Sequence, residues 1–373
     1  MEHRPPAKHV DVASLMRDFL LNDEQPLQTS SGFGQPELVV FEDPRFYIQV
    51  LFWLDGTTQI HQHEFSGAFH VLAGSSLHSE FAFENARSVT AHFRIGDLRL
   101  QRTALLERGR TVPITSGGSC IHALFHLESP SITVVVRTHS DPGTGPQFTY
   151  LPPHVAVDPF FTDTLTTRRT QLLDVLDRTE DPAYARLVAT MVADLDFERA
   201  FFIVQHAVGR LRELGKWDAV WKVFVRKQGA STERIAVTLD EILWRDRLVG
   251  LRGSISDPDH RFFLALLLNL PGRTGILGLV RRRFPGDPVR TIMGWAEELS
   301  ETSEAGTWIL DAAFPESAGV ATEHQLPLFL ETLRWFLRRS GKRTLPAGLK
   351  PGAVEAMRSA LAASSLRALV ANA

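Results

Sequence analysis

His61 and His63 stand two apart in the stretch TQIHQHEFSGAFHVLAGSS, a spacing that can serve a metal ion or arise by coincidence. On an extended strand, residues two apart point to the same side, so both rings can enter one cavity. With 14 histidines in 373 residues, H-x-H arises by chance often enough that the pair alone decides little. A second segment gives it weight: VPITSGGSCIHALFH, in which Pro113, Gly117 and His122 lead into a further apolar run. A third imidazole from a distant strand completes a facial three-ligand set and leaves open positions for substrate or oxygen. His126 and Cys120 fall on the His122 face if that strand is regular. His126 then reads as a fourth imidazole or a partner of a ligand, and Cys120 as a small buried hydrophobe or a functional thiol. His70, His92 and His206 read as packing or surface residues, Trp53 and Phe69 as barrel wall, and Glu64 and Glu128 as solvated.

The elements that must position these side chains differ between the two halves of the chain. From about Glu37 to Thr149 there are short β-branched and aromatic runs, ELVVFE, RFYIQVLFW, AFHVLAG, EFAFE, VTAHFRI and SITVVVRT, separated by turn signals that include Asp55–Gly56. Such runs, with no helical period between them, predict a sandwich or small barrel. Ahead of them, Val10 to Leu21 carries apolar residues at helical spacing and predicts one amphipathic helix on the outside. Paired prolines in YLPPHVAVDP, Tyr150 to Pro159, lack ladder donors and mark a linker. Beyond it the apolar period is helical, as in TLTTRRTQLLDVLDR, ERAFFIVQHAVGRLREL and HRFFLALLLNL, predicting roughly eight to ten helices. The expected organisation is multidomain, β then α: residues 1–155 as a β-barrel with its N-terminal helix, and 160–373 as an all-α helical domain.

Bulk properties narrow the partners. A net charge of −3 gives no field to collect nucleic acid or an anionic membrane. The longest apolar run, Phe262 to Leu268, is too short to span a bilayer, and MEHRPPAKHVDVASLM lacks the unbroken apolar stretch of a signal peptide. The expectation is a cytoplasmic protein with neither partner. A single cysteine, Cys120, excludes an internal disulfide and a multi-cysteine zinc site, so any metal must rest on imidazoles and carboxylates. By ligand affinity alone, three imidazoles suit iron, zinc, copper or nickel about equally.

Gly56, His61, His63 and Gly74, then Pro113, Gly117 and His122, resemble in order the two motifs of the cupin superfamily. The resemblance covers about a third of the chain and none of the helical half, and it implies a cupin-like β-barrel or jelly roll. Most cupins place a glutamate ligand a few residues after H-x-H; here that position is Gly67. Its loss resembles the cysteine dioxygenase branch, where three histidines alone hold ferrous iron. That likeness implies Fe(II) (with Zn, Mn or Ni as alternatives) at His61, His63 and His122, and an oxygenase bringing a small, anionic substrate together with O2. The branch's S-x-H-x-Y series falls on Val135, Arg137 and His139, and its substrate-binding arginine has no counterpart among Phe33 to Pro36. The resemblance therefore casts Arg137 and His139 as catalytic, with Arg137 pairing a substrate anion. It leaves Arg137, His126, Cys120 and Gly67 as the substrate-binding set. Two other readings stay open: a non-redox metal-dependent lyase, isomerase or hydrolase, and a non-catalytic cupin scaffold. Under any of these readings the helical half offers a surface for a homodimer or a protein partner.

Overall fold

The computed structural model describes residues 1, 3–29, 33–54, 56–161, 163–229, 232–301, 325–338 and 351–371. Asp55 of the expected turn, and the helical expectation over 302–324 and 339–350, lie outside them. The N-terminal half is β-rich. Its strands are β1 Glu37–Asp43, β2 Phe46–Trp53, β3 Ile60–His63, β4 Gly67–Ala73, β5 Ser76–Ser88, β6 Phe93–Leu106, β7 Thr111–Ile114, β8 Gly117–His126, β9 Ser131–Thr138, β10 Thr149–Leu151 and β11 Val155–Val157. They form a five-stranded sheet, β1-β2-β9-β4-β7, and a closed six-stranded ring, β10-β11-β6-β5-β8-β3.

Alternation along the strands sorts side chains between faces. On β2, Val50 and Phe52 point outward with Leu72, Ile132 and Val134, where Ala7 and the helix α1, Val12–Leu21, cover them. Leu51 and Trp53 point inward with Phe69, Val71, Leu124 and Val135, filling the space between sheet and ring. Residues 150–159, expected as a linker, instead form the β10–β11 hairpin that closes the ring: Tyr150 pairs with Ala156 and with Ile60. Pro152 and Pro153 fall in its turn, where no ladder donor is needed.

Helices follow: α2 Thr164–Arg178, α3 Tyr184–Asp194, α4 Phe197–Glu213, α5 Trp217–Gln228, α6 Thr232–Leu251, α7 Pro258–Asn269, α8 Arg273–Arg283, α9 Pro288–Glu301, α10 Gln325–Leu337, α11 Pro351–Ala363 and α12 Arg367–Val370. Aspartates at 163, 196 and 257 accept from backbone N–H groups of the first turns of α2, α4 and α7, which fixes where those helices start. Helix α7 is buried on every side, as its unbroken apolar run requires. Among the described residues no helix is long and apolar enough to cross a membrane.

Candidate metal centre

Antiparallel pairing places His61 of β3 directly opposite His122 of β8. Both rings, and that of His63, are about 95% or more buried, and one nitrogen from each lies within 4.8 Å of the others. Each ring is held differently. His61 Nδ1–H donates to the Gln59 carbonyl at 2.7 Å, which leaves the Nε2 lone pair free. That Nε2 is buried with no hydrogen-bond partner among the described residues. His63 Nε2 and His122 Nε2 face each other at 2.8 Å, a separation that requires a proton or a cation between two lone pairs. His63 Nδ1 also has no partner.

Behind His122 stands a residue that motif reasoning missed. His78 Nε2 lies 2.9 Å from His122 Nδ1, and His78 Nδ1 is 3.5 Å from Glu80 Oε1, which Arg102 holds from its other side. A His122 Nδ1–H donated to His78 leaves Nε2 as the ligand atom, the outer support that metal-binding histidines commonly have. The sequence signal is faint: His78 and Glu80 alternate on β5 in SLHSEF, and only the pairing of Glu80 with His122 brings them to the site.

Burial is the main influence on all four rings. It lowers His61 below the ordinary imidazole value against the opposing Gln59 hydrogen bond. It lowers His63 and His122 well below that value, with the neighbouring rings adding to the effect. It brings His78 to about 4, although Glu80 pulls the other way. Neutral rings with inward lone pairs are what a divalent cation requires, so these residues fit a metal ion.

The triad opens on a cavity of about 300 Å³ between the five-stranded sheet and the β3–β8 side of the ring. Its walls are mostly apolar, including Leu51, Trp53, Phe65, Phe69, Leu124 and Val135, with Gln49, Thr133 and Arg137 among the polar members. The Arg137 guanidinium lies 3.2 Å from the Phe65 ring centre and 4.9 Å from that of Tyr47. It donates to the carbonyls of Thr138 at 3.2 Å and His139 at 3.1 Å, which fixes it facing the cavity.

The other expected site residues lie elsewhere, for local reasons. His139 follows the end of β9, is exposed, and contacts the Asp43 carbonyl at 3.0 Å, so it does not share the cavity face with Arg137. Cys120 would share the His122 face on a regular strand. However, His61 pairs with His122 while His63 pairs with Gly117, so the intervening residues bulge and Cys120 leaves the lining. Gly117 adopts φ +74°, a left-handed conformation that admits the kink. His126 is fully buried, bonded to Ser76 Oγ at 2.8 Å and stacked 4.5 Å from Trp53, whose indole stands between it and the cavity. Gly67 lies against β9: an added Cβ would sit 2.1 Å from the Val136 carbonyl oxygen. Close backbone approach, not substrate contact, explains this glycine, and it leaves no room for a carboxylate ligand there.

The fold and these three histidines define a β-barrel with a buried three-imidazole cluster, continued by a helical C-terminal half. Several solved structures are similar to the N-terminal part. One is KdgF from Halomonas sp., at 17% identity over 32% of this chain and 94% of that one, TM-score 0.23. Another is a cupin-2 domain containing protein from Shewanella frigidimarina, at 15% identity over 35% of this chain and 97% of that one, TM-score 0.21. A third is hydroquinone 1,2-dioxygenase from Sphingomonas sp. with 4-hydroxybenzoate bound, at 11% identity over 30% of this chain and 70% of that one, TM-score 0.23. At such values the likeness assigns no chemistry to this chain. No protein-family model matches it, and no curated protein does.

Proposed function

We propose that the N-terminal half is a mononuclear non-heme Fe(II) oxygenase of the three-histidine kind, acting on a small molecule held in the 300 Å³ cavity. The carrying observation is the convergence of three buried, neutral imidazoles, with ligand atoms within 4.8 Å of one another, on the wall of that cavity. His61, His63 and His122 would hold the ion, and His78 would orient His122. A ferrous ion bound there supplies the one-electron chemistry that dioxygen needs to react with a closed-shell substrate. The apolar walls exclude water from the reacting groups. Arg137, clamped by Phe65 and by two carbonyls, presents a fixed cation to an anionic substituent on the substrate. With three neutral ligands the ion keeps its full charge, which also favours an anionic group beside it.

The test begins with metal content. Protein purified without added metal, or loaded anaerobically with Fe(II), should hold about one iron per chain by elemental analysis. It should then consume oxygen when offered small organic anions, thiols among them. His61→Ala and His122→Ala should each lower metal affinity at least ~100-fold. Full iron content in either variant would refute the site. Stoichiometric zinc or manganese with no oxygen uptake would replace the oxygenase by a Lewis-acid lyase, isomerase or hydrolase. Failure to bind any divalent ion would leave a scaffold.

A further inference from the structure

We propose that Gln49 reads the substrate in this cavity, and that the substrate, beyond the anionic substituent facing Arg137, is small and largely apolar or aromatic, with a hydroxyl or amine N–H that it donates to Gln49 Oε1. This rests on the cavity being the functional site argued above, and it adds the chemical class of what enters. Gln49 sits at the centre of β2, only 4% exposed, among the cavity-facing residues Tyr47, Leu51 and Trp53. Its cross-strand neighbour on β9 is Val135, and beyond that on β4 lies Phe69, so the row it belongs to is otherwise apolar. Its Oε1 is buried and meets no hydrogen-bond donor among the described residues. A buried amide oxygen left without a donor destabilises a core, and nearly all such groups in folded proteins are paired. An aliphatic side chain would fill this position more favourably, so the amide is explained by a donor that arrives from outside the chain.

Several other polar groups on the wall are already engaged. Thr133 Oγ1 accepts from Trp53 Nε1 at 3.2 Å, and Thr58 Oγ1 accepts from the Leu124 N–H at 2.7 Å. Arg137 donates to two carbonyls, and the His63 and His122 Nε2 atoms face each other at 2.8 Å. Gln49 belongs to the sheet and the triad to the ring, with the cavity between them. A molecule reacting beside the histidines therefore lies against Gln49 as well.

The test uses full-length protein loaded with zinc, a redox-silent stand-in for iron, and two probes of similar shape: benzyl alcohol and toluene. Calorimetric titration of each gives a preference ratio. Replacing the amide by Gln49→Leu should shift that ratio roughly tenfold toward toluene, with zinc stoichiometry unchanged and the thermal unfolding temperature of the ligand-free protein raised. Gln49→Met, unbranched and of similar length, should behave alike and serves if the leucine variant folds poorly. A ratio unmoved in both variants would overturn the assignment. So would a wild type that binds neither probe at millimolar concentration, or a loss of zinc on substitution, which would make Gln49 a metal ligand instead. A wild type that binds the alcohol but no metal would sink the metal reading and leave this one standing.

Discussion

A ring nitrogen can serve as a metal ligand only if its lone pair is free and pointed inward, and for His61 and His122 a hydrogen bond on the other ring nitrogen arranges this. For His122 the support is another histidine, with Glu80 3.5 Å behind it. Supporting partners of this kind usually change metal affinity about 10- to 100-fold when removed. His78→Ala should weaken zinc binding by that order in competition with a chromophoric chelator, while Glu80→Gln should have a smaller effect. Equal affinity in His78→Ala and wild type would show that His122 is oriented by packing alone. Gly67 poses the opposite question, since it matters for what cannot be added. A methyl group placed 2.1 Å from the Val136 oxygen must push β4 and β9 apart. Gly67→Ala should therefore cost about 1–3 kcal/mol in chemical denaturation, and Gly67→Glu should lower stability further without contributing a fourth ligand.

Strand β8 carries His122 at its middle and ends against the helical half. Arg252, 2% exposed, donates to the His126 carbonyl at 3.2 and 3.0 Å, and Arg261 to the Leu127 carbonyl at 3.2 Å. The His126 ring beside them is pushed down to about 3, first by burial and then by the Arg252 charge. Because that value lies below the ordinary 6.5, the unfolded chain takes up this proton first. The stability His126 contributes is whole above 6.5 and is lost as pH falls toward 3. His126→Leu should flatten the acid limb of the stability curve by about 1.4 kcal/mol per pH unit between roughly pH 6 and 4. Parallel limbs in wild type and variant would mean that His126 is already protonated in the fold. These elements also show what a sequence can and cannot convey. The β runs, the helical period and the H-x-H pair are visible because side-chain periodicity and ligand type are local properties. Gln49 and His78 are ordinary strand residues whose meaning depends on which strand lies opposite, a long-range fact with no local signature. The bulge that removes Cys120 from the lining is likewise a matter of register, hinted at only by Gly117 and Gly118.

At the scale of the molecule, the sequence suggests two domains joined by a linker, yet the apolar cores are shared between the halves. Leu77, Phe125 and Leu127 of the barrel belong to one cluster with α7 and α9. Phe93, Ile95, Val155 and Val157 belong to another with α3 and α4. Fully burying a side chain of this size stabilises by about 1.5–3 kcal/mol. Exposing these seven would forfeit an amount comparable to the whole net stability of an ordinary domain, about 5–15 kcal/mol. The helical half is therefore a structural wall of the barrel, and through Arg252 and Arg261 it also fixes the end of the strand that bears His122. Full-length protein should unfold in one cooperative transition, with circular dichroism at helical and β-sensitive wavelengths moving together. A chain ending at Asp158, which keeps all three histidines, should show no sharp thermal transition, should bind a hydrophobic dye strongly, and should lose most of its zinc affinity. A truncated chain that melts cooperatively and binds zinc as the full chain does would show that the barrel stands alone, and that the helices serve some purpose other than holding the metal site together.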